Sequence, residues 1–377
     1  MKAFLQPLQN LAEMEAIQKQ AKKNRGILQI SGCMESQKAH MMYGLSGLFP
    51  YHLIIGADEK ETKDLFEDYR FYDKSVCYYP ARDLLFFQAD IHGNLLIRQR
   101  MKVIQALLSG KPVTVVTSVD GCMDFVASLE SIRSQLIHFR NDSTLDIDEL
   151  KDALVNMGYE RVGQVEMPGQ FSVRGGIIDI YCLTEENPWR IELWGDEIDS
   201  IRSFDSQSQR SLENLEEITI YPAAEQPTEN GVSFLEYFPE DQTIVFLDEP
   251  NHLAENAEAV EDEFRQSCRN REEKGTQNLS EKWMCSWGEL CKKLNSRNCI
   301  SLSALEPKKG RWNVTEHFYL TVKSMSSYQS SFELLVKDLR NYKKQGYQTV
   351  LLSGSRTRAE RLAKDLQEEG LSAFYST

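Results

Sequence analysis

Apolar and polar positions in the first third of the chain alternate between short apolar runs and longer stretches with helical spacing. In "LIIGADEKETKDLFEDYR", for example, an apolar run changes to the three-to-four-residue spacing of an amphipathic helix. The pattern predicts strands over 27–30, 52–56, 76–79 and 112–118, and helices over 38–48, 59–69, 95–108 and 121–129. Strands that alternate with helices in this way favour a mostly parallel sheet covered on both faces.

The pattern changes between residues 137 and 222. One helix is predicted over 147–157, and short strands separated by turn sequences such as "MPGQ" and "TEENP" follow it. These strands are predicted over 161–166, 171–172, 176–181, 189–194, 197–204 and 218–221. Short strands joined by tight turns indicate an α+β block with antiparallel strands, which is a different domain from its neighbours.

The α/β pattern returns after Pro222. "TIVFLDEPNHLAENAEAVEDEFRQ" predicts an apolar strand, an acidic pair and a polar helix, and the chain closes on strand, helix, strand, helix and the start of a strand. Because these last elements are too few to close a sheet, we expect the polypeptide to continue beyond Thr377. The predicted domains are an α/β lobe in two parts (1–130 and 223–312), an inserted α+β domain (131–222) and the start of a further, incomplete α/β domain (313–377).

Composition narrows the class of protein. A chain of 377 residues exceeds one ordinary core, and it contains no apolar run near bilayer length and no signal peptide. Eight cysteines are scattered without a C-x-x-C pair or a zinc-like spacing, which favours reduced thiols and no metal site. We therefore expect a cytoplasmic protein with no membrane partner. The net charge of −14 argues against a free-standing nucleic-acid binder, although an acidic protein can carry a local basic face.

A possible phosphate-binding loop follows the first predicted strand. In "GILQISGCMESQKAH", Gly32 and Lys38 keep the spacing of G-x-x-x-x-G-K-[ST], in which backbone N–H groups surround a phosphate and the lysine reaches the outer phosphates. Gln37 replaces the second glycine, and Ala39 replaces the hydroxyl that would hold magnesium. The segment is therefore either an ordinary strand–turn–helix or a degenerate phosphate loop, and a working loop is the least favoured reading.

An acidic pair supplies a second sign of a nucleotide site. The apolar run 243–247 ends in Asp248 and Glu249, the arrangement in which many nucleotide hydrolases present carboxylates to magnesium and water. Acids at the start of a helix also occur without such a role, because they favour the helix dipole. The chain has no Q-x-x-G-R-x-x-R motif for a second motor lobe, so we expect no catalytic residue in it.

The middle domain offers a candidate interface. Arg161, Phe171 and Arg174 could share one face of a strand pair, and arginine beside an aromatic ring is typical of interface anchors. The alternative is that Phe171 packs in a sheet and the arginines lie on a solvated face.

Three segments of this domain carry a family resemblance. "GQFSVRGGIIDIY", "RIELWGDEIDSIRSFDSQSQRS" and "ITIYPA" resemble the UvrB-homology region of the bacterial transcription-repair coupling factors. The resemblance is specific over 158–223 and looser over 1–312. It implies a helicase-like (P-loop NTPase-like) parallel-sheet lobe that an α+β domain interrupts, so that Gly32, Gln37, Lys38, Ala39, Asp248 and Glu249 would form one degenerate nucleotide site.

The resemblance also implies a function. The inserted domain would dock UvrA, the damage-recognition ATPase, through Arg161, Phe171 and Arg174, with Arg190 and Glu192 as weaker members. Residues 78–94 are too short for the aromatic hairpin with which UvrB clamps DNA. We expect no cofactor in this chain, since ATP, magnesium, RNA polymerase and double-stranded DNA would engage domains of the longer family members. The alternatives are a UvrB-like or other P-loop ATPase or helicase acting on DNA, and a DNA-binding module.

Overall fold

The computed structural model describes residues 2–23, 25–82, 93–225, 231–274, 281–306, 312–323, 325, 328 and 331–376. The helices are α1 (Lys2–Gln9), α2 (Met14–Ala21), α3 (Glu35–Ser46), α4 (Glu59–Arg70), α5 (Gly93–Leu108), α6 (Val119–Met123), α7 (Leu129–Gln135), α8 (Ile147–Asn156), α9 (Pro250–Glu273), α10 (Trp287–Asn295), α11 (Phe332–Lys344) and α12 (Arg356–Glu368). Short 3-10 helices span Phe234–Tyr237, Glu240–Gln242 and Glu281–Trp283. The strands are β1 (Gly26–Ser31), β2 (Tyr51–Gly56), β3 (Cys77–Tyr79), β4 (Val113–Ser118), β5 (Phe125–Val126), β6 (Ile137–Arg140), β7 (Glu160–Arg161), β8 (Gln170–Arg174), β9 (Ile177–Ile180), β10 (Trp189–Trp194), β11 (Glu197–Phe204), β12 (Ser211–Leu215), β13 (Glu217–Ile220), β14 (Val232–Ser233), β15 (Thr243–Asp248), β16 (Asn298–Ser303) and β17 (Val314–Tyr319).

The large sheet has seven strands in the order β17-β1-β16-β15-β2-β4-β3, and every neighbouring pair is parallel. Its central strands read as continuous apolar runs because helices cover both faces. Successive residues of one strand enter different cores: Leu53 and Ile55 pack on one side of the sheet, and Ile54 packs on the other. The predicted α/β class with a parallel sheet is confirmed.

The second sheet has six strands in the order β12-β11-β10-β9-β8-β7. Its pairs are antiparallel except that β7 runs parallel to β8. One face packs with α8 and with the small antiparallel pair of β6 and β13 in a separate apolar core. The predicted antiparallel block is therefore confirmed as a separate sheet, and the boundaries proposed for the domains stay predictions.

Helix α5 connects the two sheets. Arg100 is buried and donates to Asp124 after α6 (2.9 Å) and to Glu225 at the end of the second block (2.6 Å). On the same helix Arg98 donates to the backbone oxygen of Glu185 at 3.1 Å. These contacts fix the second sheet against the large one.

Several predicted elements differ from the structure, and the strand predicted over 161–166 is reduced to β7, Glu160–Arg161. The helix expected over 121–129 ends at Met123, because Asp124 pairs with Arg82 and Arg100 and the next two residues pair with β14. The second strand expected in the closing segment does not form between α11 and α12, where Tyr347–Leu352 are exposed and pair with no strand of the described residues. A strand needs such a partner for its backbone groups.

Strand β17 also differs from expectation. The sequence pattern assigns residues 313–377 to a further domain, whereas Val314–Tyr319 pairs in parallel with β1 at the edge of the large sheet. The segment 78–94, which bears on the DNA-clamping hairpin, lies for the most part outside the described residues. No helix in the described ranges is long and apolar enough to cross a membrane.

Candidate functional site

The loop after β1 is packed against the protein's own backbone. Gly32 has φ +86°, and a Cβ there would lie 2.0 Å from the backbone oxygen of Leu320, which follows β17. The N–H of Leu320 donates to Ser31 (2.8 Å), and the N–H of Cys33 donates to Ser303 (3.0 Å). Glycine at position 32 therefore serves a close approach of chain to chain. The N–H of Cys33 in this loop is therefore already hydrogen-bonded within the fold, and it is not free to donate to a phosphate.

Lys38 lies in α3 and is almost fully buried, with 4% of its side chain exposed. Its Nζ lies 2.7 Å from Asp248 and 2.7 Å from Glu249. Burial would lower the pKa of Lys38, but the charges and hydrogen bonds of the two acids raise it above its usual value. In a working loop, this lysine would contact a phosphate and the two acids would bind magnesium. Here Lys38 is held as a cation between Asp248 and Glu249 instead.

Asp248 and Glu249 are held in place by different contacts. Burial raises the pKa of Asp248, and Lys38 offsets only part of this effect. Glu249 adopts a left-handed backbone (φ 44°) at the start of α9, and its carboxylate accepts from the N–H of Ala304 at 2.8 Å. Each group of the cluster Lys38–Asp248–Glu249 is therefore held by contacts within the fold.

Neither residue that replaces the motif's glycine or its hydroxyl restores the function of that group. Gln37 is partly buried, and Ala39 is fully buried in the apolar core beneath α3. Glu35 stands in the first turn of α3, where a bound phosphate would benefit from the helix dipole. A carboxylate there repels an anion.

Further acids surround the same edge of the large sheet. Asp58 follows β2, Asp120 follows β4, and parallel strands bring these ends together. Burial, together with the charges of nearby acids, raises the pKa of Asp120 to about 6. The edge therefore carries negative charge where a nucleotide would place its phosphates.

One group of possible metal ligands lies at this edge within the described ranges. The ligand atoms of Asp58, Glu61 and His252 lie within 4.8 Å of one another. Asp58 already caps α4 by accepting from the N–H of Glu61 at 2.8 Å, and His252 lies 3.3 Å from the Glu61 carboxylate. These contacts account for the cluster without an ion.

The outer face of the second sheet, opposite the core, carries a row of charges. Strand register brings Ser172, Asp179, Arg190 and Arg202 side by side on adjacent strands. Asp179 is completely buried and accepts from Arg190 at 2.6 and 2.8 Å and from Arg174 at 2.8 Å. The hydrogen bonds to Asp179 raise the pKa of Arg190. One carboxylate therefore organises two arginines on this face.

The predicted docking residues do not share one environment. Arg190 is mostly buried over the ring of Phe204 (4.4 Å), and Glu192 pairs with Arg202. Arg174 has 49% of its side chain exposed. Arg161 is exposed on the edge strand β7. Of the five residues, the two arginines 161 and 174 are the most accessible to a partner.

Phe171 requires a correction. It is completely buried in the core of the second sheet, opposite Ile180, three positions before Arg174. Residues three apart on a strand face opposite sides, so Phe171 and Arg174 do not share a face. Phe171 supports the sheet, and a direct contact of its ring with a partner is not available.

Sequence reasoning missed Asp179, Arg202 and Trp194. The acid in "GIIDIY" was a detectable signal, because a carboxylate within an apolar run is seldom buried without a cation. The partner arginines could not be read from the same stretch, since they lie on neighbouring strands.

Residues 137–225 match the family described as the UvrB interaction domain. The transcription-repair-coupling factor of Bacillus subtilis (strain 168) is 38% identical over 213 residues, which cover 52% of this chain and 18% of the relative. Those of Staphylococcus aureus (strain bovine RF122 / ET3-1) and Staphylococcus haemolyticus (strain JCSC1435) are 38% and 37% identical over 170 residues, 45% of this chain and 14% of each relative.

The chain thus spans less than a fifth of the length of these relatives. The family match covers the second sheet, the small antiparallel pair and α8, and so includes the charged face around Asp179. Residues 137–225 are therefore similar to the UvrB interaction domain family, and about half of the chain is similar to the transcription-repair coupling factors.

Proposed function

We propose that this chain is the repair-adaptor region of a transcription-repair coupling factor and that residues 137–225 recruit UvrA to stalled transcription complexes. The observation that carries the proposal is the coincidence of the family match with a separately folded sheet whose outer face presents arginines. Arginine forms paired, charge-assisted bonds with carboxylates of a partner surface. Arg174 suits this role because it is anchored by Asp179 yet half exposed.

The large sheet, on this proposal, is a helicase-like lobe that retains the frame of a phosphate loop and has no ATPase activity of its own. Two features support this. The strands that precede the loop and the acidic pair belong to one parallel sheet, and Lys38 is already neutralised by Asp248 and Glu249. A nucleotide would have to break this cluster and enter an acidic edge, which costs electrostatic free energy.

Activities of longer relatives are assigned to their remaining parts. ATP and magnesium would act in motor domains that translocate on double-stranded DNA, and RNA polymerase would bind another domain. We place the protein in the cytoplasm, since none of its eight cysteines, all in described segments, forms a disulfide.

UvrA binding tests the proposal directly. In a calorimetric titration of the 377-residue chain with UvrA, the double variant Arg161→Ala, Arg174→Ala should bind about 30-fold more weakly, because truncating a buried interfacial charge pair costs about 2 kcal/mol or more. Arg210→Ala is the matched control, as it removes an exposed arginine from the opposite end of the sheet. Unchanged affinity of the double variant would overturn the assignment of these arginines, and absence of binding by the unmodified chain would overturn the proposed function.

A nucleotide titration tests the second part of the proposal, that the large-sheet lobe has no ATPase activity. Titration of the same preparation with millimolar ATP and magnesium should give no binding heat, and folded protein is verified by its UvrA titration. Tight, magnesium-dependent ATP binding would instead favour the P-loop ATPase alternative.

A further inference from the structure

The most exposed large apolar side chain within residues 137–225 is Trp194, at 83% relative exposure. It ends β10 and precedes the turn through Gly195 and Asp196. Leu193 packs against the core, so the alternation along β10 places Trp194 on the outer face with Arg190 and Glu192. A tryptophan left in solvent on a charged face is the kind of anchor that fills a partner's pocket.

Arg174 lies at the same end of the same face. Strands β8 and β10 both run antiparallel to β9, which separates them, so their carboxyl ends point the same way. Arg174 ends β8 as Trp194 ends β10. Arg174 is level with Glu192 across Ile177, so Trp194 lies two strand spacings across and two residues further along β10, about 12 Å away and within one docking patch.

Turns and a backbone hydrogen bond define the chain path at this end of the sheet. Gly175 and Gly195 adopt positive φ in the two turns (59° and 66°), and the N–H of Leu193 donates to the oxygen of Gly176 at 2.8 Å. The two turns therefore define the backbone positions from which Trp194 and Arg174 project.

Charge indicates what this end of the face would accept. Arg174 and Arg190 share the single carboxylate of Asp179, which leaves one positive charge uncompensated, and Arg174 is the exposed member. Glu197 faces Trp194 on β11, three strands away from Arg174. The complementary surface is an apolar cleft that takes the indole and has a carboxylate about 12 Å away, on the side toward β8.

We propose that Trp194 is the apolar anchor of the docking surface and that it inserts into an apolar cleft of UvrA while Arg174 pairs with an adjacent carboxylate. This inference rests on the proposed function and adds to it the residue that supplies apolar contact in place of the buried Phe171. Trp194 is exposed, so its truncation leaves the fold intact.

The test compares Trp194→Ala and Trp194→Phe with Phe374→Ala, a control that removes another highly exposed aromatic ring (86%) outside the sheet. Titrated with UvrA, Trp194→Ala should bind at least about 10-fold more weakly, because buried aromatic anchors dominate interfaces. Trp194→Phe should recover most of the affinity, and Phe374→Ala should match the unmodified chain.

Acrylamide quenching gives a readout that folding alone would not change. The unmodified chain should lose a quenchable tryptophan component when UvrA is added, and the Trp194→Phe variant should show no such loss. If Trp194→Ala binds normally while the Arg161, Arg174 double variant does not, the anchor is overturned and the proposed function stands. If the unmodified chain fails to bind UvrA, both are overturned.

Discussion

The cluster Lys38–Asp248–Glu249 and the outer face of the second sheet use the same groups in opposite ways. In the cluster, one cation lies between two carboxylates, and 4% of its side chain is exposed. On the outer face, one buried carboxylate holds two arginines, and half of Arg174 remains exposed. The cluster leaves its cation no free side for a ligand, whereas the outer face keeps a cation accessible and fixed.

This difference shows that spacing of residue types is not enough to locate a site. Both regions place charged groups where a ligand or a partner could meet them. The cluster has one more anion than cations, whereas the outer face has one more cation than anions around Asp179, and its extra cation, Arg174, is half exposed. A charged group with a free side can contribute binding energy, whereas a group enclosed by its own counter-charges contributes to folding.

The largest expected loss of stability is from the substitution Lys38→Met. The variant leaves Asp248 and Glu249 close together without their cation, and removal of one partner from a buried ion pair costs about 3–5 kcal/mol. Urea denaturation followed by circular dichroism measures the loss. Lys63→Met is the control, since it breaks an exposed pair with Glu59 and should change stability by about 0.5 kcal/mol or less. Equal losses of stability in the two variants would show that the ion pairs of Lys38 with Asp248 and Glu249 contribute no more than an exposed pair does.

Asp179→Asn tests the outer face in the same way. It should lower the free energy of unfolding by about 2 kcal/mol, because Arg190 and Arg174 lose charge-assisted hydrogen bonds. Glu217→Gln is the matched control, as its pair with Arg140 is exposed and its loss should cost about 0.5 kcal/mol or less. The same denaturation experiment applies. A cost as small as that of the control would mean that Asp179 does not organise the face.

The sequence predicted the local elements better than the contacts between them. The bounds of β10 and β11 are confirmed residue for residue, because alternation and the turn at Gly195 specify them. The pairing of β17 with β1 was missed, since nearly the whole chain separates them. The predicted docking set combined Phe171 with Arg174, although strand geometry places them on opposite faces. Burial of Lys38 depends on packing by β15 and α9, which no local pattern reports.

Substitution of Asp120 should change stability by a smaller amount, and this change should depend on pH. Asp120 lies at the same edge as the cluster, but among the described residues no cation pairs with it. Burial raises its pKa to about 6. Above that pH its charge destabilises the folded state, so Asp120→Asn should stabilise the protein by about 1–2 kcal/mol at pH 7.5.

The sign of the pH dependence follows from the two states. As the pH falls through about 6, Asp120 takes up a proton in the folded state, while an unfolded aspartate stays charged to about pH 4. The wild-type chain therefore recovers stability relative to the variant on acidification. Urea denaturation at pH 7.5, 6.5 and 5.5 should show a shrinking difference, and a constant difference would contradict the role of this carboxylate.

The smallest effect on stability is expected from Arg174→Ala, at about 1 kcal/mol or less, because a half-exposed ion pair contributes little to folding. Arg190→Ala should cost about 2 kcal/mol, since this side chain is 14% exposed, donates twice to Asp179 and stacks on Phe204. Thermal denaturation of both variants beside their UvrA titrations separates folding from binding. If Arg174→Ala were as destabilising as Arg190→Ala, Arg174 would be a structural residue, and loss of UvrA binding could no longer be attributed to its exposed side.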